Sequence, residues 1–476
     1  MQSSGGKRAS WRPIISNTPS LHHHHDVKPE KAPGVPMLTL IGIGGIIGAG
    51  FFLGCGVPIR LAGPSVLIAF LIGGILTAQV TGALTSIAVK EPEEGSFKVY
   101  ADRYLGSYAG YLQGWIYYLT SVLTIASEAV AMAVFTHIWL PHIAEWLTAS
   151  IYSIIILIIN AFGVRNFDRV ESFMSVVKIA ALVGFILFAV LLISGLLTGM
   201  PHPAAFLSSS ETFFTHGFTG LMQSMLIVVF AYAGIGVFAT AAVKTPRGRD
   251  VELSAILTIL ILTVLYIVAV GFVIWFEPTQ SVNTSISPFV LTLQRHGTIW
   301  LADIFNAAIL IASFSVMAGA VFSSMQILYS LGETNEAPRF VKIQNQRGVQ
   351  YGALLATAIG IALSLILAYA LPSNVYQFLI SASSFMTFFY WFVMLLTFIS
   401  WRSRLRSASQ SFQVSKLAFG APVSSYVCLA LIVALTIYAL FQPSQRIAFY
   451  AFAAIYLLLT IAYWFVRKKI QKSAGS

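Results

Sequence analysis

Residues 42–52 read Gly-Ile-Gly-Gly-Ile-Ile-Gly-Ala-Gly-Phe-Phe, placing five glycines (Gly42, Gly44, Gly45, Gly48 and Gly50) inside a run too apolar to be anything but a membrane helix. In hydrocarbon this is a costly composition. Each glycine weakens a helix by about 1 kcal/mol relative to alanine and bares backbone groups that lipid cannot satisfy. Two readings fit. One is close packing against a neighbouring helix, where small residues spaced four apart are common. The other is a helix broken on purpose, whose freed N–H and C=O groups face a cavity near the bilayer midplane and hold a small charged solute.

The rest of the chain agrees with a membrane setting. Of 476 residues, 57% are hydrophobic and 9% charged, a composition that would precipitate as a soluble globule. Apolar runs of about 20 residues predict roughly twelve spans: 37–56, 64–89, 107–138, 147–163, 171–197, 217–242, 253–276, 299–331, 351–371, 374–400, 421–441 and 446–466. The net charge of +11 invites a nucleic-acid reading, but its placement argues against one. With a cytoplasmic N-terminus, the outer loops hold Arg60, Arg295 and Arg446 and one span holds Lys178. That leaves 24 of the 28 Lys and Arg on the cytoplasmic side, which fixes the expected orientation with both termini inside. Tryptophans at segment ends (Trp139, Trp275, Trp300, Trp401 and Trp464) suit interfacial anchoring.

The polar first 35 residues show no signal peptide, and their His22–His25 run reads as a solvated tail because no Cys or acidic cluster completes a metal site. Cys55 and Cys428 lie far apart in apolar segments and imply no disulfide framework.

The next glycine interruption comparable to span 1 lies in span 6, at Phe230-Ala-Tyr-Ala-Gly-Ile-Gly236. Five spans separate equivalent features, and an odd number inverts the second copy relative to the first. The expected organisation is therefore a tail (1–35), a first five-helix repeat (36–198), an inverted second repeat (216–402), helices 11 and 12 (420–467) and a C-terminal tail (468–476). No connection is long enough for an independent soluble core.

Intramembrane charges are functional candidates, since a charge at the centre of a helix costs about 2.5–3.5 kcal/mol on insertion scales. Glu128 sits mid-span 3 and Lys178 two turns into span 5. Glu128 reads either as a structural, hydrogen-bonded carboxyl or as a site-lining group that affects proton coupling. Lys178 reads either as a snorkelling side chain or as a buried amine that exchanges a proton. Asp303 and Glu171 lie near span ends, where solvent or headgroups reach them, and read as structural. Enzyme chemistry lacks a motif: there is no Gly-x-Ser-x-Gly, no His-Glu-x-x-His, and Gly44-Gly45 opens a span rather than following a strand.

With these residues in hand, the chain resembles the amino acid/polyamine/organocation transporter superfamily, most of all its bacterial amino acid transporter branch, from about residue 36 to 402. The resemblance rests on Gly42 to Phe52, Leu61-Ala-Gly-Pro64, Gly95-Ser-Phe97 with Tyr100, Glu128, Trp139-Leu-Pro141 with Trp146, Glu171 and Lys178, Phe230 to Ile235, Leu328-Tyr-Ser-Leu331 and Ala337-Pro-Arg339. It implies an all-α polytopic fold of about twelve transmembrane helices, two inverted five-helix repeats of the leucine-transporter type plus two more, working by alternating access. It also implies a solute carboxylate on backbone N–H groups around Gly48, Ala49 and Gly50. The ammonium would meet carbonyls around Ile46, Ile47, Phe230 and Tyr232, with Ala231 and Gly234 also in the substrate site and Phe230 as an aromatic gate. Lys178 would stand where sodium-driven relatives bind their ion, near Gly45 and Ser315, so that a proton rather than sodium is the coupling ion.

Four departures stand against the pattern. Ser86 and Gly236 replace glutamates, Gln326 replaces an arginine, and the link from Gly234 to Pro246 is two residues short. The lost span 6 acid touches the coupling mechanism more than the fold. The expectation is a secondary transporter of neutral amino acids, a proton symporter in a bacterial cell membrane, partnered by lipid and an amino acid, with no cofactor, metal or nucleic acid, and monomeric or weakly dimeric. An exchanger, an amino acid sensor on the same fold and, more remotely, a multispanning enzyme are the rivals.

Overall fold

A computed structural model describes residues 33–474 except 94, 164–166, 198–211, 347, 371–374 and 411. The His22–His25 run lies outside the described residues. Among those described the chain is helical throughout, with no strand. Among the described residues, ten helices are long and apolar enough to cross a membrane. The expected spans missing from those ten are the two glycine-interrupted ones. Span 1 divides into Val35–Ile46 and Ala49–Phe52, continuing through Gly56–Ala62, and span 6 into Gly217–Ala231 and Val237–Lys244. Failure to form one continuous helix is what removes both from the count.

The breaks have local causes. Ile47 and Gly48 are extended, so the helix stops at Ile46 and a new turn begins at Ala49. In span 6, Gly234 has φ of 109°, a conformation that side-chain-bearing residues rarely adopt, and a Cβ there would collide with the Gly45 carbonyl. The two breaks therefore touch backbone to backbone. Close packing is also real along span 1: a Cβ on Gly42 would stand 2.7 Å from Thr258 Oγ1, and one on Gly50 2.9 Å from Phe230 Cδ1. Both readings of the glycine run hold at once, at different residues.

Spans 3 (Ser107–His137) and 10 (Val375–Ser407) are the most interior, whereas the span 12 helix buries none of its apolar window. Two connections form short helices the span count did not anticipate, Ser96–Leu105 and Pro288–His296. The first is docked by a buried ion pair, Lys98 Nζ to Glu336 Oε2 at 2.7 Å. Trp401 is not an interfacial anchor: it is fully buried and donates to Glu91 Oε1 at 3.0 Å. Glu91 also receives Arg103 at 2.7 Å and the Tyr104 hydroxyl at 2.7 Å. Burial pushes the Glu91 carboxyl up, but the hydrogen bonds from Tyr104, Arg103 and Trp401 outweigh it and hold it below the ordinary carboxylate range.

At the end opposite the basic loops, aromatic rings close the fold. Phe51 stacks on Tyr266 at 3.8 Å and meets Phe289 at 5.3 Å, while Phe52 meets Phe305 at 5.9 Å. The 282–287 segment lies on this plug, with the Ser287 hydroxyl donating to the Phe52 carbonyl at 2.7 Å. Among the described residues Cys55 and Cys428 are buried, unpaired thiols.

Candidate solute site at the paired breaks

A cavity of about 150 Å³ begins at the two breaks and runs toward Pro33 and Lys244, the basic end of spans 1 and 6. Gly45, Ile46, Gly50, Glu128, Glu171, Phe230 and Gly234 line it, so seven of the residues singled out in the sequence share one wall. Ile47, Gly48, Ala49, Ala231 and Tyr232 stand behind that wall. Tyr232 is turned away, its hydroxyl donating to the Phe70 carbonyl at 2.9 Å within a cluster of Phe70 and Tyr266.

Side chains already engage the backbone at the span 1 break. The Ala49 N–H donates to Glu128 Oε2 at 3.0 Å, and the Tyr376 hydroxyl donates to the Ala49 carbonyl at 2.7 Å. Glu128 thus occupies the donor that the resemblance gives to the solute's carboxylate. A Cβ on Gly48 would stand 2.5 Å from Glu128 Oε1 and 2.8 Å from Val316 Cγ2, so only glycine lets span 3 approach this closely.

Lys178 is fully buried and does not snorkel. Its ammonium donates to the Gly44 carbonyl at 2.5 Å and stands 3.7 Å from Glu171 Oε1. Glu171, expected within reach of solvent at a span end, is instead 4% exposed, and it accepts the Ser315 hydroxyl on Oε2 at 2.6 Å. Ser315 therefore binds the acid rather than the lysine. The pairing had a sequence signal: positions 171 and 178 are two turns apart and so on one helix face. Asp303 behaves as expected of a span-end acid, accepting the Trp139 indole N–H at 2.8 Å.

Residues not anticipated complete the wall. Span 3 contributes Tyr117, Thr120, Ser121 and Thr124, and spans 8 and 10 contribute Ser323 and Tyr390. Thr120 and Ser121 spend their protons on the carbonyls of Ile116 and Tyr117 but keep acceptor capacity toward the cavity. No motif announces helical hydroxyls, which is why they escape a sequence reading. Of the departures, Gly236 packs on the Tyr117 hydroxyl and Phe97, leaving no room for a glutamate there. Ser86 donates to Gly82 O and accepts the Ser415 N–H at 2.8 Å, tying the 415 segment to span 2. Gln326 is exposed.

Two broken spans meeting backbone to backbone, with a buried acid and lysine beside a cavity among apolar spans, define a helical membrane protein of the carrier type. The chain belongs to the amino acid permease family, whose profile matches residues 37–473. It is 31% identical over 432 residues to the uncharacterized transporter YcgH of Bacillus subtilis (strain 168), covering 91% of this chain and 94% of that one. The uncharacterized amino acid permease YtnA of the same organism is 30% identical, covering 92% of this chain and 95% of its own. The aromatic amino acid transport protein AroP of Escherichia coli (strain K12) is 28% identical, covering 90% and 94%. Family and relatives are transporters, so this protein is a permease and not an enzyme.

Proposed function

We propose that the protein is a proton-coupled symporter of neutral amino acids in a bacterial cell membrane, built from inverted repeats over 36–198 and 216–402 and held here open toward the cytoplasm. The observation that carries the reading is the charge set at the span 1 break. Glu128, Glu171 and Lys178 lie together and buried, and with the amine neutral both ionised acids stand uncompensated. A buried net charge is costly, and one proton taken up by Lys178 lowers it. A solute carboxylate reaching the Ala49 N–H must displace Glu128, and it does so most easily once the Lys178 ammonium offsets the added negative charge. Solute and proton then favour each other's binding, which is the thermodynamic content of symport.

A neutral side chain suits the remaining wall. Phe230, Val316, Gly319 and Ala320 are apolar, and both acids are already engaged, Glu128 by Ala49 and Glu171 by Ser315 and Lys178. The aromatic plug closing the far end, with the cavity reaching Pro33 and Lys244, fits one end state of alternating access. The test is uptake of each labelled L-amino acid into proteoliposomes with and without an inward proton gradient. The parent concentrates neutral amino acids on the gradient; the Lys178→Met variant loses that accumulation and keeps exchange of solute for solute. Accumulation by Lys178→Met equal to the parent's sinks the assignment of coupling to this lysine.

A further inference from the structure

Lys178 does not line the cavity, yet a coupling group has to exchange protons with water. Glu171 is the cavity-wall acid that forms an ion pair with the lysine. It belongs to the cavity wall, its Oε1 is 3.7 Å from Lys178 Nζ, and Ser315 anchors its other oxygen. The Oε1 atom has no hydrogen-bond partner although it is buried. It faces Gly44, where a Cβ would collide with Oε1 and with Ser175 Oγ. The missing side chain leaves that oxygen room to swing the short remaining distance to the ammonium.

We infer that Glu171 is the proton relay between the cavity and the sealed Lys178 amine, an inference that rests on reading Lys178 as the coupling group. Water in the cavity protonates the Glu171 carboxylate. The carboxylic acid then gives that proton to the neutral Lys178 amine, leaving the carboxylate–ammonium pair seen here, and release runs the same steps backwards. Direct transfer needs an approach to about 3 Å, which rotation of the carboxyl about an Oε2 held by Ser315 supplies. The other titratable groups bearing on the pair are Glu128 from span 3, which acts on Lys178 through its charge, and Lys244 at the mouth of the cavity.

A relay changes the rate of proton-coupled uptake; a mere counter-ion changes solute affinity or folding. Proteoliposomes loaded with a pH-sensitive dye and given the twenty L-amino acids singly separate these. The Glu171→Gln variant is expected to slow gradient-driven uptake and the accompanying lumen acidification at least tenfold and to flatten the dependence of the initial rate on pH. Because Glu171 lines the cavity, the deficit is read at saturating solute, where a change in solute affinity no longer contributes, and it should persist there. Glu171→Asp should recover part of the rate, and Gly44→Ala should slow it because Oε1 loses its space. Solute-coupled proton entry at the parent rate in Glu171→Gln overturns the relay, as does a deficit that disappears at saturating solute. Should Glu171→Gln not fold, Glu171→Asp and Ser315→Ala carry the same comparison. Loss of accumulation in Lys178→Met with parent-like Glu171→Gln rejects only the relay. Accumulation by Lys178→Met, or none by the parent, rejects the coupling reading beneath it.

Discussion

The two breaks meet each other, yet they are finished in different ways. At span 1 three other spans reach the backbone: Glu128 on the Ala49 N–H, Lys178 on the Gly44 carbonyl, and Tyr376 on the Ala49 carbonyl, which also accepts the Leu53 N–H at 2.9 Å. At span 6 the backbone mostly closes on itself, with Tyr232, Ala233 and Val237 N–H groups donating to carbonyls three residues back and one Tyr266 hydroxyl on the Ala231 carbonyl at 3.1 Å. Two of the three partners at span 1 are ionisable; around span 6 the partners are aromatic. On the proposed function, the difference divides the work: span 1 would handle charge, and span 6 shape through Phe230.

The largest effect should come from filling the span 1 break. In Gly48→Leu the new side chain strikes Glu128 and Val316, so solute binding is expected to vanish while a folded protein still elutes as a single species in detergent. Binding by that variant at parent affinity would move the carboxylate site elsewhere. At span 6, Phe230 is already buried without solute, so Phe230→Ala loses only the ring's contact with the solute, and affinity should fall by about tenfold, ~1.4 kcal/mol. Its proton-to-solute ratio, measured by paired uptake and pH recording, should not change. A changed ratio would erase the division between the breaks.

The smallest effect lies outside the spans. Glu91 titrates below its ordinary value of 4.5, so its bonds to Arg103, Tyr104 and Trp401 contribute fully above that pH and are lost as pH falls through the lower folded value. Glu91→Gln should therefore unfold slightly earlier than the parent at pH 7 in a thermal melt, with the gap narrowing on acidification below 4.5. Transport should be unaffected, since this charge cluster touches neither break.

What the sequence discloses follows from what hydrocarbon forbids. Glycine in a membrane helix and a charge in mid-span are expensive, so Gly48, Gly234, Glu128 and Lys178 stand out, and the breaks and the buried charges fall where those residues predict. Contacts made by unremarkable residues do not stand out. Tyr376 and Tyr266 bind backbone carbonyls beside the breaks from spans 10 and 7, and Thr120 and Ser121 turn toward the cavity, on helices whose composition is ordinary for a membrane. Glu171 was legible in principle through its two-turn spacing from Lys178, but its place near a span end disguised its burial. Trp401 misled in the same way, because a tryptophan at a helix end anchors to the interface only where no buried acid such as Glu91 claims its N–H.

The division of work turns on the solute's carboxylate entering the span 1 break in place of Glu128. Calorimetric titration of the purified protein with a transported amino acid and with its amide, each in two buffers of different ionisation enthalpy, tests this most directly. The amino acid should bind with net uptake of a proton, from the buffer-dependent part of the heat, and its amide at least a hundredfold more weakly. Equal affinities for acid and amide, or acid binding with no proton taken up, would contradict the account.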